Sequence, residues 1–273
     1  MSSLDKFIFF VSVLISLVFP RAFAEEKPLP KMDCVIEPYI VSNVSSSADG
    51  IIYRIYVKEG QKVKKNQKLA RLASGVEKVS VRLARAKSKL NQDVKTKKLN
   101  VKFLKEKHKR VVELFNEKVV SSHDKEESEM KVKLAEIEFQ RAEALHDIKV
   151  MELKRAKAAL ERRTVRSPVH GVIVDRYLSL GESVKDKPLF KVVQLNPLRV
   201  EVIAKSKYFG RVHEGTKAKV FTELNPEKTL DAIVSTVSPV IDAASATFDF
   251  TLSLPNPKLK IPGGLRCKVQ LFE

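Results

Sequence analysis

Along residues 31–74 apolar and polar positions alternate, with Val, Ile and Tyr set between glycines, the two-residue period of strands. The alternation stops near Ser74. From Val76 to about Lys118, and again from Asp124 to about Arg163, the chain has neither Gly nor Pro, and its apolar residues recur every seven positions. Val76, Leu83, Leu90, Lys97, Leu104 and Val111 mark the first series, with Val79, Ala86 and Leu114 supporting its ends and Val94, Val101 and Phe115 its middle and tip. Met130, Ile137, Ala144, Met151 and Ala158 mark the second, flanked by Leu134 and Ile148. Two such helices joined by a few residues predict an antiparallel coiled-coil hairpin, about 63 Å long at 1.5 Å per residue. Lys97 weakens the first seam locally. Ser74 followed by Glu77, and Ser121 followed by Asp124, supply helix-start signals. Beyond Leu195, "LRVEVIAK", "KAKVFTEL", "DAIVSTVS", "TFDFTLSL" and "RCKVQLFE", broken by "NPEK", "PNPK" and "IPGG", predict a small antiparallel barrel or sandwich.

The two β stretches flanking the hairpin are copies of one pattern. Ala48–Leu72 and Val169–Val193 align without a gap at Gly50/Gly171, Ile52/Ile173, Tyr56/Tyr177, Gly60/Gly181, Val63/Val184 and Lys64/Lys185. Gly50, Gly60, Gly171 and Gly181 are read as turn glycines. Neither copy has enough residues to bury a core alone, so the pair is expected to form one β-sandwich with the hairpin inserted where the halves meet. The resulting fold class is mixed α and β and elongated: a coiled-coil α-hairpin inserted into a split sandwich, plus a small barrel. Expected boundaries are 31–43 and 195–273 for the barrel, 44–74 and 164–194 for the two half-sandwiches, and 75–163 for the hairpin.

Net charge is +18, and the first helix alone carries 14 Lys/Arg against 5 Asp/Glu. On charge alone nucleic acid is a candidate partner. The N-terminus argues otherwise: Phe7–Phe19 is apolar and is followed by Pro20 and "AFA" at 22–24, the pattern of a secretory signal over residues 1–24. The rival reading is an uncleaved anchor, for which a 13-residue helix of about 20 Å is short. No cysteine follows the cleavage site, so no lipid anchor is expected there. An exported chain has no nucleic-acid partner, and a charge run on a coiled coil is ordinarily its solvated face. Cys34 and Cys267 both lie in strand-like stretches, "DCVIEPYIV" and "LRCKVQLF". In an oxidising compartment they are read as a disulfide, with two buried free thiols as the alternative.

At this point the chain resembles the periplasmic adaptors (membrane fusion proteins, HlyD-like) of Gram-negative tripartite efflux systems. The resemblance rests on "DGII…VKEGQKVKKNQKLARL", "TVRSPVHGVI…LGESVKDKPLFKVV" and the closing "VSTVSPVIDAASATFDFTLSLPNPKLKIPGGLRCKVQL", in that order around the hairpin. It implies that the split sandwich is lipoyl-like. It also implies a role linking an inner-membrane transporter to a TolC-like outer-membrane channel, with several copies in a ring and no catalysis. The cleaved signal points to a resistance–nodulation–division (RND) transporter ahead of an ABC exporter. Larger members continue into a membrane-proximal β-domain, whereas this sequence stops at Glu273, which puts the usual transporter contact in question. The family's tip motif, Arg-x3-Leu-x6-Ser, stands in "RVVELFNEKVVS" at Arg110, Leu114 and Ser121, and implies channel binding there. Arg110 and Leu114 are four apart, and Ser121 is read as seven further along the same face. On the residues alone, Leu114 can equally be a seam residue, Ser121 a helix cap and Arg110 a solvated charge.

Other chemistry is not supported. His108, His123, His146, His170 and His213 have no ligand spacing, so no metal site is expected. No Ser/His/Asp group, phosphate loop or carboxylate pair stands out, and no cofactor is expected. A lipoyl or biotinyl carrier would present its lysine at the turn joining the two half-motifs, which the hairpin occupies. Lys64 and Lys65 are read as exposed turn residues.

Overall fold

The computed structural model describes residues 29–272, and the secretory-signal expectation on 1–24 lies outside them. Twelve strands and three α-helices follow in the order β1 (Met32–Val44), β2 (Gly50–Ile55), β3 (Lys62–Val63), β4 (Lys68–Leu72), α1 (Gly75–Lys89), α2 (Gln92–Asn116), α3 (Ser122–Glu161), β5 (Thr164–Arg166), β6 (Gly171–Arg176), β7 (Ser183–Val184), β8 (Phe190–Lys205), β9 (Lys217–Thr222), β10 (Asn225–Asp242), β11 (Thr247–Leu254) and β12 (Leu265–Phe272).

The two copies of the repeat complete each other. Gly60 N–H donates to the Ile173 carbonyl at 2.8 Å, and its counterpart Gly181 N–H donates to the Ile52 carbonyl at 2.9 Å. Ile173 N–H donates to Gln61 and Ile52 N–H to Glu182, again as a matched pair. Strands cross over in the same way, β2 pairing with β7 and β3 with β6. Ile52, Val63, Leu69 and Leu72 from the first copy share one buried cluster with Ile173, Val184, Leu189 and Phe190 from the second. Burying an Ile or Leu fully contributes about 1.5–3 kcal/mol, and here each copy supplies the apolar surface the other needs.

The four repeated glycines divide into two kinds. Gly60 and Gly181 turn the chain with φ of 76° and 85°, a region that disfavours side chains. Gly50 and Gly171 are not turn residues, contrary to the sequence reading: they begin β2 and β6. Their role is close approach. A Cβ at Gly171 would overlap the Val193 carbonyl oxygen of β8, and one at Gly50 would lie 2.6 Å from the Arg163 guanidinium.

A second buried cluster fills a barrel. The pairings β1–β12–β9–β10–β11–β8 close on themselves because β1 also pairs with β8. Ile36, Val200, Val220, Phe248, Phe250, Leu252 and Val269 lie inside. β1 and β8 run through both clusters. Val44 pairs with Phe190 in the sandwich and Cys34 with Val202 in the barrel, with a register shift between Pro38 and Ile40. Cys34 and Cys267 face each other in the β1–β12 register and form a disulfide.

The hairpin leaves the sandwich from paired strands, β4 feeding α1 and α3 feeding β5. The capping box read at Ser74 does not form, because Glu77 turns instead to Arg163 at 2.6 Å. Arg163 also donates to the Asp49 carbonyl, and Arg162 donates to the Ser47 carbonyl at 2.6 Å. The rod is thus pinned to the loop before β2.

Within the rod the seam differs from the sequence reading. The first helix is interrupted: Leu90 is extended, with ψ of 93°, and α2 starts at Gln92 after Asn91. The interruption shifts the inward phase by one residue, so Val81 and Ala84 are buried in α1 while Val76, Val79, Leu83 and Leu90 are exposed. On α2 the inward residues are Val94, Lys97, Val101, Leu104, His108, Val111 and Phe115, all partly buried, and the Lys97 ammonium bonds Glu138 of α3 at 2.6 Å. That bond holds the ammonium above its ordinary pKa. Lys97 therefore ties the helices together rather than weakening them. On α3 Val132, Ala135 and Ala142 are buried, whereas the predicted series through Met130, Ile137 and Met151 faces outward.

Two consequences can be measured by urea unfolding. Gly171→Ala should cost about 1–3 kcal/mol, as expected for overpacking against fixed backbone; an unchanged midpoint would mean β6 and β8 are not in forced contact. Replacing both Cys34 and Cys267 by Ala should cost about 2–4 kcal/mol, and retention of full stability would show that the bridge adds nothing.

Candidate functional site at the hairpin tip

Polar and apolar residues at the end of the rod are held by two helix-terminating motifs back to back. α2 closes with Lys118 N–H donating to the Phe115 carbonyl and Val119 N–H to the Leu114 carbonyl, both at 2.9 Å. This is a Schellman arrangement, which requires a left-handed residue after the cap. Lys118 occupies it with φ of 60°. α3 begins with a capping box. Asp124 N–H donates to Ser121 Oγ at 3.1 Å, while Ser121 N–H donates back to Asp124 Oδ2 at 3.0 Å. Ser121 Oγ–H also donates to Asp124 Oδ2 at 2.6 Å. These bonds, the hydroxyl first, hold the Asp124 carboxyl below its ordinary pKa. The tip is a turn with both of its helix ends satisfied.

Arg110 and Leu114 lie one turn apart on α2 and are both solvent-exposed. Ser121 does not continue their face, contrary to the sequence reading. α2 ends at Asn116, so a helical count of seven from Leu114 crosses a turn, and Ser121 belongs to the start of α3. Its hydroxyl is committed to capping. Val119, which the sequence reading passed over, is 66% exposed at the apex, more than Leu114 at 39%. The signal for it was present in the apolar pair Val119–Val120, lying in the gap between two helices where nothing within the chain can bury it. Just below, the seam is polar: His108 Nδ1 and Ser128 Oγ are 2.6 Å apart, and Lys125 Nζ sits 4.9 Å from the Phe115 ring centroid. The arrangement presents a small apolar surface, Leu114 and Val119, with the Arg110 cation beside it. Among the described residues no three His, Cys, Asp or Glu stand close enough to hold a metal.

Comparison with known proteins gives the fold its relatives. The cobalt-zinc-cadmium resistance protein CzcB of Cupriavidus metallidurans is 27% identical over 225 residues, covering 82% of this chain and 41% of that protein. The chain therefore spans about two fifths of the length of that relative. Among solved structures, MacA from Actinobacillus actinomycetemcomitans superposes with a TM-score of 0.68 at 18% identity, covering 89% of this chain and 77% of its own. The membrane fusion protein Spr0693 of Streptococcus pneumoniae R6 gives 0.60 at 14% identity, covering 90% and 99%. Both share the fold. The family model described as CzcB-like, barrel-sandwich hybrid domain spans residues 40–194, taking in both half-sandwiches and the whole hairpin, and the chain belongs to that family.

Proposed function

We propose that this protein is a periplasmic adaptor subunit of an efflux system, joining an inner-membrane transporter to a TolC-like outer-membrane channel, without enzymatic activity. The observation that carries the proposal is the rod: a pinned, capped hairpin ending in exposed apolar residues, projecting from a body whose family includes efflux proteins. The two-copy sandwich is its lipoyl-like core, and Arg110, Leu114 and Val119 are the channel contacts. Leu114 and Val119 would enter a groove between partner helices, and the Arg110 guanidinium would donate to carboxylates or carbonyls at its edge. Ser121 serves the same surface by fixing the turn that presents it. Several copies stand side by side in a ring, barrels toward the transporter. An RND transporter fits the export signal best, with an ABC exporter second. Relatives named for cobalt, zinc and cadmium resistance and for cation efflux make divalent metal ions the first substrates to examine. The proposal assigns no metal ligand to the adaptor itself. Among the described residues no helix is long and apolar enough to cross a membrane.

Arg110→Glu and Leu114→Glu should each lower crosslinking to the outer-membrane channel at least tenfold and raise metal sensitivity of the host, with helicity unchanged because both side chains are exposed. Unchanged crosslinking would remove the tip assignment. The cap adds a pH dependence. Asp124 has its folded pKa below the unfolded value of about 3.9, so its contribution is complete above that pH and is lost as pH falls through the folded value. Hydrogen exchange at residues 122–125 should therefore accelerate in acid, beyond its intrinsic pH trend. Asp124→Asn should flatten that response; an unaltered profile would show that the cap does not govern the turn.

A further inference from the structure

The two copies of the repeat differ at one matched place on their outer faces. In each copy a strand bulges by one residue just past the buried isoleucine. The register of β2 against β4 shifts between Ile52 and Arg54, and that of β6 against β8 between Ile173 and Asp175. The first residue pair beyond the bulge is therefore equivalent in the two halves. In the second copy it is Asp175 opposite Lys191, whose charged groups stand 3.8 Å apart as an ion pair. In the first copy it is Arg54 opposite Arg71. Directly opposed residues share a face, with Cβ atoms about 4.5–5.5 Å apart, and like charges so placed repel.

No carboxylate answers this pair. Among the described residues neither arginine side chain forms an ion pair or a hydrogen bond. Each has a tyrosine ring instead: the Arg54 guanidinium lies 5.4 Å from the centre of Tyr56, and that of Arg71 lies 5.4 Å from the centre of Tyr53. Tyr53 is the bulged residue and is 61% exposed. A guanidinium lying over a ring engages its face there and keeps its in-plane N–H donors for an acceptor. Arg54 is exposed and Arg71 half-buried. Arg71 Nε is itself buried without an acceptor, so an outside group can meet only its terminal nitrogens. Both arginines stand on the inner strands of a sheet ordered β5–β4–β2–β7, which holds them in place before anything binds.

We propose that Arg54 and Arg71, flanked by Tyr53 and Tyr56, bind a phosphate group, carried by a soluble phosphate ester or by a lipid headgroup. Two features select phosphate. A phosphate monoester carries close to two negative charges near neutral pH, matching two guanidiniums. It also offers three oxygens, enough to accept from both forks at once, whereas a single fork already engages both oxygens of a carboxylate. The second copy supplies the contrast. It has the same bulge and the same strand pairing, with Tyr177 matching Tyr56, but its own Asp175–Lys191 pair is neutralised from within.

The test titrates the purified protein with glycerol phosphate by calorimetry, in phosphate-free buffer at about 0.15 M salt, where exposed charges are largely screened. Flotation with phosphatidylcholine vesicles containing phosphatidic acid is the lipid arm. Binding of glycerol phosphate assigns a soluble ester, and binding of the vesicles alone assigns a headgroup. In either arm Arg54→Gln and Arg71→Gln together should lower affinity about tenfold or more. Lys95→Gln and Lys102→Gln, which remove the same charge from exposed positions on α2, should lower it by less than about twofold. Arg71→Lys keeps the charge but loses the fork, and should lower affinity about threefold or more. Relief of the opposed charges should raise the urea midpoint of the Arg54→Gln, Arg71→Gln protein in the absence of phosphate, which also reports that it folds. Glycerol phosphate should raise the midpoint of the unaltered protein and leave that of the double variant where it was. Equal losses in the arginine and lysine variants would reduce the binding to general charge attraction and overturn the site. So would equal affinity for acetate, or binding of neither probe.

Discussion

Four backbone hydrogen bonds exchanged between residues that lie more than a hundred positions apart hold the body together. Each half of the repeat has a turn glycine whose N–H is satisfied only by the other half, and an isoleucine whose backbone is completed only by the other half's turn. Ile52 and Ile173 are buried, and a buried backbone donor without a partner costs about 1–3 kcal/mol, so neither half can fold at little cost alone. The loop between them can be long, since closure entropy grows only slowly with length. That loop need not be floppy, provided it returns to its origin. An antiparallel hairpin does so by construction, and β4 and β5 pair at its base.

Aiming the rod requires more than returning to the start. Glu77 and Arg163 form an ion pair across the hairpin base, largely shielded from water, and Arg163 continues to the Asp49 carbonyl through space that the missing side chain of Gly50 leaves open. One of the repeated glycines is thus tied to the rod's direction, and its counterpart Gly171 to the contact with β8. Since β8 and β1 extend without interruption into the barrel, the orientation of the rod is linked to the barrel through continuous hydrogen-bonded strands. The register of β1 against β8 changes between Pro38 and Ile40, where the chain passes from barrel to sandwich.

Much of this was legible because strand and turn chemistry is local. The glycine spacing betrayed the repeat, the alternation betrayed the barrel, and the absence of Gly and Pro betrayed the rod. What was not legible follows from ambiguity in the same signals. Helix α3 has apolar residues every seven positions on two sides, and periodicity gives the spacing of a stripe without saying which stripe is inside. The larger side chains, Met130, Ile137 and Met151, suggested the wrong one; small Ala135 and Ala142 are inside because they let the helices approach. In the first strand a single extended residue, Leu90, moved the phase by one, and no Gly or Pro marked it. At Ser74 a capping signal was spent on an ion pair with a residue 86 positions away, a contact that no local reading supplies. At the tip, the turn that separates Ser121 from Leu114 hid the exposure of Val119.

Polar residues in the seam give the rod its definite length. A purely apolar seven-residue repeat fits equally well when one helix slides by a heptad, and the tip would then rise or fall by about 10 Å. Sliding α3 by seven would bring Lys97 opposite Lys131 or Leu145 instead of Glu138, setting like charges together or leaving the ammonium without its acceptor. The same slip would bring His108 opposite Ser121 or Ala135 instead of Ser128. Polar positions in coiled coils characteristically give up some stability to specify one register. Here they specify how far Leu114 and Val119 stand from the sandwich, and therefore the height at which every copy in an assembly offers its tip.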